Sequence, residues 1–273
     1  MRTFKFNDGK ILNIRDKTLI MGILNITPDS FSDGGKFINP DSARRQVQKM
    51  LKAGADIIDI GAESTRPGFK PITVDEEIAR LEPILKSIAA ECPIPISIDT
   101  YKSQTAAAAL ELGANIINDI HGLQADNNAM AKVAAKYNAL VIAMHNEPII
   151  GDVIEGIKTY FRRTLKIAEA AGLSKYNIII DSGIGFNKTQ EQNLEILKRL
   201  EELNEIDDVK YPQLLGVSRK SIIGYLSELP VDQRDEATGA ICIIAITKGV
   251  KIIRVHNVEM IAKMCCVADK IIK

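Results

Sequence analysis

Gly54-Ala-Asp-Ile-Ile-Asp59-Ile60 recurs 59 residues later as Gly113-Ala-Asn-Ile-Ile-Asn118-Asp119, and again as Gly249-Val-Lys-Ile-Ile-Arg254-Val255. In each copy a glycine suited to ending a helix precedes a short β-branched run, and the fifth residue after the glycine is polar. Comparable runs occupy Leu19 to Asn25, Asp56 to Gly61, Ile94 to Asp99, Asn115 to Asp119, Leu140 to His145, Asn177 to Asp181, Gln213 to Val217 and Lys251 to Val255. Segments with helical spacing separate them. Eight strands of nearly continuous apolar character, each followed by a helix, require parallel pairing with both faces covered. Shared among eight units, the 273 residues give about 34 each, close to the unit of a closed (β/α)8 barrel. The 59-residue echo is then close to two units. The expected fold is α/β, a (β/α)8 TIM barrel filling residues 1–273 as a single domain without a linker. Thr3 to Arg15, turning at Asn7-Asp8-Gly9, reads as an N-terminal β-hairpin that plugs the barrel bottom.

Helix ends are legible between the strands. Asn39-Pro40-Asp41 supplies a cap followed by proline in the first helical position, and the stripe Ala43, Val47, Met50, Leu51 closes at Gly54. Thr73 and Glu76 have capping-box spacing before Ile78, Leu81, Leu85 and Ile88, where Pro83 is expected to kink the helix or delay its start. Another helix is expected over Gln190 to Leu203. The last, Val258 to Ile272, carries Ile261, Met264, Cys265 and Ala268 at core-packing spacing.

Composition narrows the function. Lys and Arg number 35 against 35 Asp and Glu, so no global field draws the chain to nucleic acid or an anionic membrane, and any anion site is local. At 46% hydrophobic and 26% charged, the chain matches an ordinary globule. The longest apolar run, Ala240 to Ile246, is too short to span a bilayer. Charge in Met1-Arg2-Thr3-Phe4-Lys5-Phe6 argues against a signal peptide, so the expected location is cytoplasmic. Cys92, Cys242, Cys265 and Cys266 lack zinc or redox spacing and read as buried reduced thiols. His121, His145 and His256 form no zinc motif.

Polar residues gather where the strands end: Asn25, Asp59, Asp99, Asn118, Asp119, His145, Asp181, Ser218, Arg219, Lys220, Arg254 and His256. Each taken alone fits a helix cap or a neutralised neighbour. Together they are costly to bury without a ligand, and in this fold the strand ends form the active-site face. Asp99, Asn118 and Asp181 offer the acceptors and amide that read the edge of a nitrogen heterocycle. Lys220, Arg254 and His256 offer cations for a carbonyl or an anion such as pyrophosphate. The residues therefore point to a heteroaromatic substrate with a phosphorylated leaving group. Glycine-rich loops Thr27 to Gly35 and Glu63 to Gly68 follow the first two strands and suit closure over substrate. Neither matches a phosphate-binding P-loop, and Gly183-Ile-Gly185 lacks the third glycine of a dinucleotide fingerprint.

The chain resembles the dihydropteroate synthases of folate biosynthesis nearly end to end. The likeness rests on Asn25-Ile-Thr-Pro-Asp-Ser-Phe-Ser-Asp-Gly-Gly35, Gly61-Ala-Glu-Ser-Thr-Arg-Pro-Gly68, Ser97-Ile-Asp-Thr100, Asn118-Asp119, Asp181-Ser-Gly-Ile-Gly-Phe186, Gly216-Val-Ser-Arg-Lys-Ser221 and Arg254-Val-His256. It implies a transferase that joins the amine of para-aminobenzoate to the methylene carbon of a hydroxymethyl-dihydropterin diphosphate, releasing pyrophosphate. By the same resemblance Asp99, Asn118, Asp181 and Lys220 surround the pterin, with Met144 and Arg254 at its faces. Asn25, Arg254 and His256 hold the diphosphate, with Thr65 reaching it and magnesium bridging its oxygens near Asn25. Asp33, Thr65, Arg66 and Pro67 close from the loops, Asp33, Thr65 and Arg66 joining Asp99, Asp181 and Lys220 in the catalytic set, while Pro67, Phe186, Lys220 and Ser221 line the para-aminobenzoate pocket. Sulfonamides compete there, and the resemblance implies a homodimer.

Rate on this reading is mainly electrostatic. If the methylene–oxygen bond breaks early, carboxylates stabilise positive charge on the pterin while cations and magnesium stabilise the leaving pyrophosphate. Asp99 or Asp181 acting as a general base for the amine proton is left open. The wording departs from the family at Ser182 and Asn187, usually Pro and Gly, at Asn146-Glu147-Pro148, and at Asn257, usually Asp, where the orientation of His256 is at stake. Related barrels that move a methyl group from methyltetrahydrofolate share the Asp/Asn set but do not need the Thr65-Arg66-Pro67 loop. A silent binding barrel is the reading from another class.

Overall fold

The computed structural model describes residues 2–15, 17–27, 39–63 and 70–272. A hairpin of β1 (Thr3–Lys5) and β2 (Ile11–Asn13) leads into the barrel strands β3 (Leu19–Asn25), β4 (Ile57–Gly61), β5 (Ile96–Asp99), β6 (Ile116–Asp119), β7 (Leu140–Met144) and β8 (Ile178–Asp181). A two-residue ribbon, β9 (Glu205–Ile206) with β10 (Val209–Lys210), precedes β11 (Gln213–Leu215) and β12 (Ile252–Val255). Strands β3 to β8, β11 and β12 close into one parallel barrel, β12 pairing back onto β3. Helices α1 (Pro40–Lys52), α2 (Val74–Ile88), α3 (Ser103–Glu111), α4 (Ala129–Tyr137), α5 (Val153–Ala170), α6 (Gln190–Lys198), α7 (Ser221–Ser227), α8 (Asp235–Thr247) and α9 (Val258–Ile272) surround it. The (β/α)8 reading and the leading hairpin both hold.

Strand alternation sorts the side chains. Leu19, Met21, Ile57, Ile116, Leu140, Ile142, Ile179, Leu214 and Ile252 fill the barrel interior, and Leu12 and Ile14 of the hairpin close its lower end with Phe4 and Phe6 packed on them. The intervening residues, such as Ile20, Ile58, Ile117 and Val141, join the layer between strands and helices. Two residues further along β4, β6, β8 and β12 the inward position turns polar, at Asp59, Asn118, Asp181 and Arg254, while on β7 it is Met144. The barrel is thus oil below and charge at the mouth.

The echoed glycines explain how three of those polar groups reach the mouth. Gly54, Gly113 and Gly249 take φ of +95°, +97° and +95°, the left-handed region that a side chain opposes. Each closes its helix with the same two bonds. Gly54 N–H donates to Leu51 O and Ala55 N–H to Met50 O, Gly113 to Leu110 and Ala114 to Ala109, Gly249 to Ile246 and Val250 to Ala245. This Schellman geometry fixes the register of the next strand, so the fifth residue onward arrives at the same height.

Some local expectations change. Asn39 caps α1 as expected, its Oδ1 accepting from Asp41 N–H at 2.9 Å. Thr73 Oγ1 likewise accepts from Glu76 N–H, but the Glu76 carboxylate bonds Arg80 at 2.6 Å instead of returning to the cap. Pro83 lies inside α2 and does not delay its start at Val74. The helix expected over Gln190 to Leu203 ends at Lys198 and continues as a 3-10 turn over Leu200–Asn204, which still buries Leu200 and Leu203. Gln213 Nε2 donates to Leu200 O at 2.9 Å, holding that turn. Cys92, Cys242 and Cys265 are buried free thiols, while Cys266 is exposed on α9. Among the described residues no helix is long and apolar enough to cross a membrane.

Candidate active site

Arg254, inward on β12, reaches across the mouth with its guanidinium forked between two carboxylates. Its Nε lies 2.6 Å from Asp59 Oδ2 and its Nη2 2.6 Å from Asp99 Oδ2. Asn118 Nδ2 donates to the same Asp59 oxygen at 3.2 Å. The three echo positions, Asp59, Asn118 and Arg254, are therefore one hydrogen-bonded group. Sequence reasoning gives Asp59 a place in the ring and no role. Its signal was the echo itself, which aligns it with two residues that the resemblance does assign.

The second half of the mouth is built by the loop after β8. Asp181 Oδ1 accepts Gly183 N–H at 2.8 Å, Lys220 Nζ donates to Ile184 O at 2.6 Å, and Lys220 lies 4.6 Å from the Phe186 ring centroid. Gly216 leaves the space where these groups converge. A Cβ there would lie within 3.9 Å of Asp181 Oδ2, Arg254 Cδ and Lys220 Nζ together. Lys188 ties the loop down by donating to the carbonyls of Gly183, Phe186 and His145 at 3.0, 3.0 and 3.2 Å. Gly183, at φ +67°, passes so near β7 that a Cβ would meet His145 O at 2.0 Å. Asn187, at φ +46° where the family usually has glycine, occupies a left-handed position that asparagine tolerates best among residues with a Cβ. Ser182 is buried with its Oγ unpartnered.

Buried Asp59 and Asp181 and partly buried Asp99 face two partly buried cations, Arg254 and Lys220. Burial pushes Asp99 up to about 7, Arg254 opposing it and Asp59 adding to it. Burial raises Asp181 as well, against Lys220. Lys220 is pushed down to about 8 by its own burial, with Asp181 pulling it back up. Arg254, held by both aspartates, stays a cation. Asp59 Oδ1 and Asp99 Oδ1 are buried with no hydrogen-bond partner, and such acceptors are costly unless a ligand supplies donors.

Of the remaining ring members, His256 lies beside Ser218, with Ser218 Oγ 3.0 Å from Nδ1. Asn257 donates to Asp235 at 3.0 Å and accepts Met260 N–H, so it caps α9 while Ser218 sets the His256 ring. Of the residues assigned to the amine substrate, Phe186 meets Lys220, and exposed Ser221 accepts from Gln190 Nε2 at 3.1 Å. Three ring members leave the site. Asp119 follows inward Asn118, points outward, and accepts the His121 and Leu123 N–H groups at 2.8 Å each. His145 follows inward Met144, packs 4.7 Å from the Tyr160 ring, and is held neutral by burial, its value lowered to about 3. Arg219 forks onto Asp235 at 2.7 and 2.9 Å. Asp33, Thr65, Arg66 and Pro67 lie outside the described residues.

No cluster of three or more His, Cys, Asp or Glu suited to a metal occurs among the described residues. Oxygen donors are nevertheless present at Gly61, where a Cβ would lie 3.7 Å from Asn25 Oδ1 and 3.8 Å from Asp99 Oδ2. Asp99 Oδ2 is taken by Arg254 Nη2 at 2.6 Å, so Asn25 Oδ1 is the oxygen that would serve magnesium, an ion that takes few protein oxygens and completes its shell with water and phosphate.

The family pattern described as pterin binding enzyme matches residues 21–256. A dihydropteroate synthase of Clostridium beijerinckii is 48% identical over 268 residues, 97% of this chain and 98% of its own length. A crystal structure of a dihydropteroate synthase from Clostridium difficile, in the presence of pteroic acid, is 46% identical, covers 93% of this chain and 97% of that one, and superposes with TM-score 0.89. The Yersinia pestis dihydropteroate synthase with a sulfonamide drug is 35% identical, covers 99% of each chain, and gives TM-score 0.90.

Proposed function

The chain belongs to the pterin-binding enzymes as a dihydropteroate synthase, and from that premise we propose how its own residues divide the work of the reaction. The activity is the condensation of 6-hydroxymethyl-7,8-dihydropterin diphosphate with para-aminobenzoate to 7,8-dihydropteroate and pyrophosphate, a transferase step of folate biosynthesis. The observation that carries the division is the excess of carboxylates over cations at the mouth, with two buried carboxylate oxygens unpartnered. A pterin, rich in N–H donors, gives Asp99 Oδ1 the partner it lacks. As the methylene–oxygen bond breaks, positive charge spreads into the ring, and Asp99 and Asp181 are already fixed where it develops.

Asn118, Met144 and Lys220 complete the pterin pocket, with Arg254 against the ring. Asn25, His256 and Arg254 take the diphosphate, which leaves with the electron pair of the broken bond. The amine nitrogen of para-aminobenzoate forms the new bond from the side of Phe186, Lys220 and Ser221, then loses its proton. Asp33, Thr65, Arg66 and Pro67 act from the loops, Thr65 toward the diphosphate and Pro67 toward the amine substrate. Magnesium, held through Asn25, offsets charge on the diphosphate oxygens when bound. Sulfonamides enter the para-aminobenzoate side, in keeping with the drug complex of the Yersinia relative. The whole chain acts as one pterin-binding domain in the cytoplasm, without nucleic-acid or membrane partners. It works as a homodimer, for which exposed Ile244, Val267 and Ile271 on the packed pair α8 and α9 provide apolar surface.

Calorimetry with half-ligands tests this division. Asp181→Ala is expected to abolish 6-hydroxymethylpterin binding and spare magnesium pyrophosphate, whereas His256→Ala is expected to do the reverse. Equal losses of both ligands in both variants would overturn the assignment.

A further inference from the structure

Asp59 lies on the floor of the mouth, 0% exposed, and one of its oxygens serves two residues. A carboxylate accepts hydrogen bonds and never donates while ionised, whereas an asparagine amide offers a donor on one side and an acceptor on the other. The contact between Asp59 Oδ2 and Asn118 at 3.2 Å therefore admits only the rotamer with Nδ2 toward Asp59. That leaves the Asn118 carbonyl turned from the carboxylate as an acceptor for a ligand. Arg254 Nε, donating at 2.6 Å to the same oxygen, stops the Asp59 carboxylate from turning. The Schellman turns at Gly54, Gly113 and Gly249 set all three strands at one height, so the contact is built into the backbone register.

We propose that Asp59 is a positioning residue for specificity: through its bond to Asn118 it fixes which edge of the amide reads the heterocycle. The site thereby selects rings that present an N–H donor to Asn118 and rejects those presenting an acceptor. The proposal rests on the reading that Asn118 faces the pterin. It gives Asp59 no contact with substrate. Its influence passes through the amide, with Arg254 as the lock.

The test is a double-variant cycle read by calorimetry with 6-hydroxymethylpterin. Asp59→Asn keeps the shape but lets the residue donate, so the Asn118 amide is free to turn over. In the wild-type background this substitution is expected to weaken pterin binding about tenfold, the scale of one charge-assisted hydrogen bond. In an Asn118→Ala background there is no amide to orient, and the same substitution should cost at least threefold less. The Michaelis constant for para-aminobenzoate should stay within about twofold of wild type in Asp59→Asn, a split that general loosening of the barrel would not give. Equal factors in the two backgrounds would overturn the proposal and leave the pterin site standing. Failure of Asn118→Ala itself to weaken pterin binding would instead overturn the reading on which the proposal rests. Should Asp59→Asn not fold, Asp59→Glu in both backgrounds, which moves the carboxylate away from Asn118 but retains its charge, gives the same comparison.

Discussion

Replacing Arg254 by methionine removes the cation that two buried aspartates share, and the structure sets both the size and the pH dependence of the loss. Asp59 is fully buried and Asp99 nearly so, each 2.6 Å from a guanidinium nitrogen. Breaking a buried ion pair by removing one partner costs about 3–5 kcal/mol, because the remaining charge is stranded. Asp99 makes that cost depend on pH. Its folded value is already pushed up to about 7, mainly by burial, and Arg254 is the influence opposing the push. A carboxyl raised on folding holds a proton that the unfolded chain has released, so stability falls as pH rises from about 4 through the folded value. Without Arg254 that fall continues beyond pH 7, and each further unit of displacement adds about 1.4 kcal/mol. Urea unfolding of wild type and Arg254→Met at pH 5 and pH 8 reads the effect. The expected loss is about 3–5 kcal/mol at pH 8 and at least about 1 kcal/mol smaller at pH 5. A loss below about 1 kcal/mol, the scale of an exposed pair, or a loss larger at pH 5, would refute the reasoning.

Asp99 works as a carboxylate above about 7 and Lys220 as a cation below about 8, so kcat/KM should be bell-shaped with its maximum between these values. Lys220→Arg, which stays charged, should move the alkaline limb upward even at lower activity, and an unmoved limb would assign it elsewhere. Lys188→Met frees three loop carbonyls and is expected to destabilise by about 1–3 kcal/mol. It should also raise the Michaelis constant for para-aminobenzoate more than that for the pterin diphosphate, because the loop carries Phe186; equal changes would count against this role. Gly183→Ala must place a methyl against His145 O at a positive φ, and thermal melting should show a loss above about 1 kcal/mol, the lower end of stored backbone strain. A neutral result would contradict the close approach.

The barrel was legible because buried parallel strands leave near-continuous β-branched runs. Leu19–Asn25 has the same bounds in sequence and structure, and the other strands lose only one or two residues at an end. The inward residues Asn118, Asp181 and Arg254 were legible too, since each follows an inward isoleucine by two positions, as Asp99 follows buried Ser97. Asp119 and His145 were misplaced for want of that parity: each directly follows an inward residue, so each faces the helices. Arg219 follows its strand at φ +60°, where strand parity no longer applies, and its fork onto Asp235 depends on a loop contact across the chain. The 3-10 turn after Lys198 is held by Gln213, a distant amide that donates to Leu200 O and Asn204 Oδ1 and leaves no local sequence signal. Asp59 was visible in the echo, but its function lies in which oxygen serves which donor, and composition and spacing carry no such detail.

The most direct test of the account is pyrophosphate release by the purified protein supplied with magnesium and 6-hydroxymethyl-7,8-dihydropterin diphosphate, with and without para-aminobenzoate, beside Asp181→Ala. The account predicts release that requires the amine, matches dihydropteroate formed one for one, and collapses in the variant. Binding of the pterin without amine-dependent release, or full activity in Asp181→Ala, would contradict it.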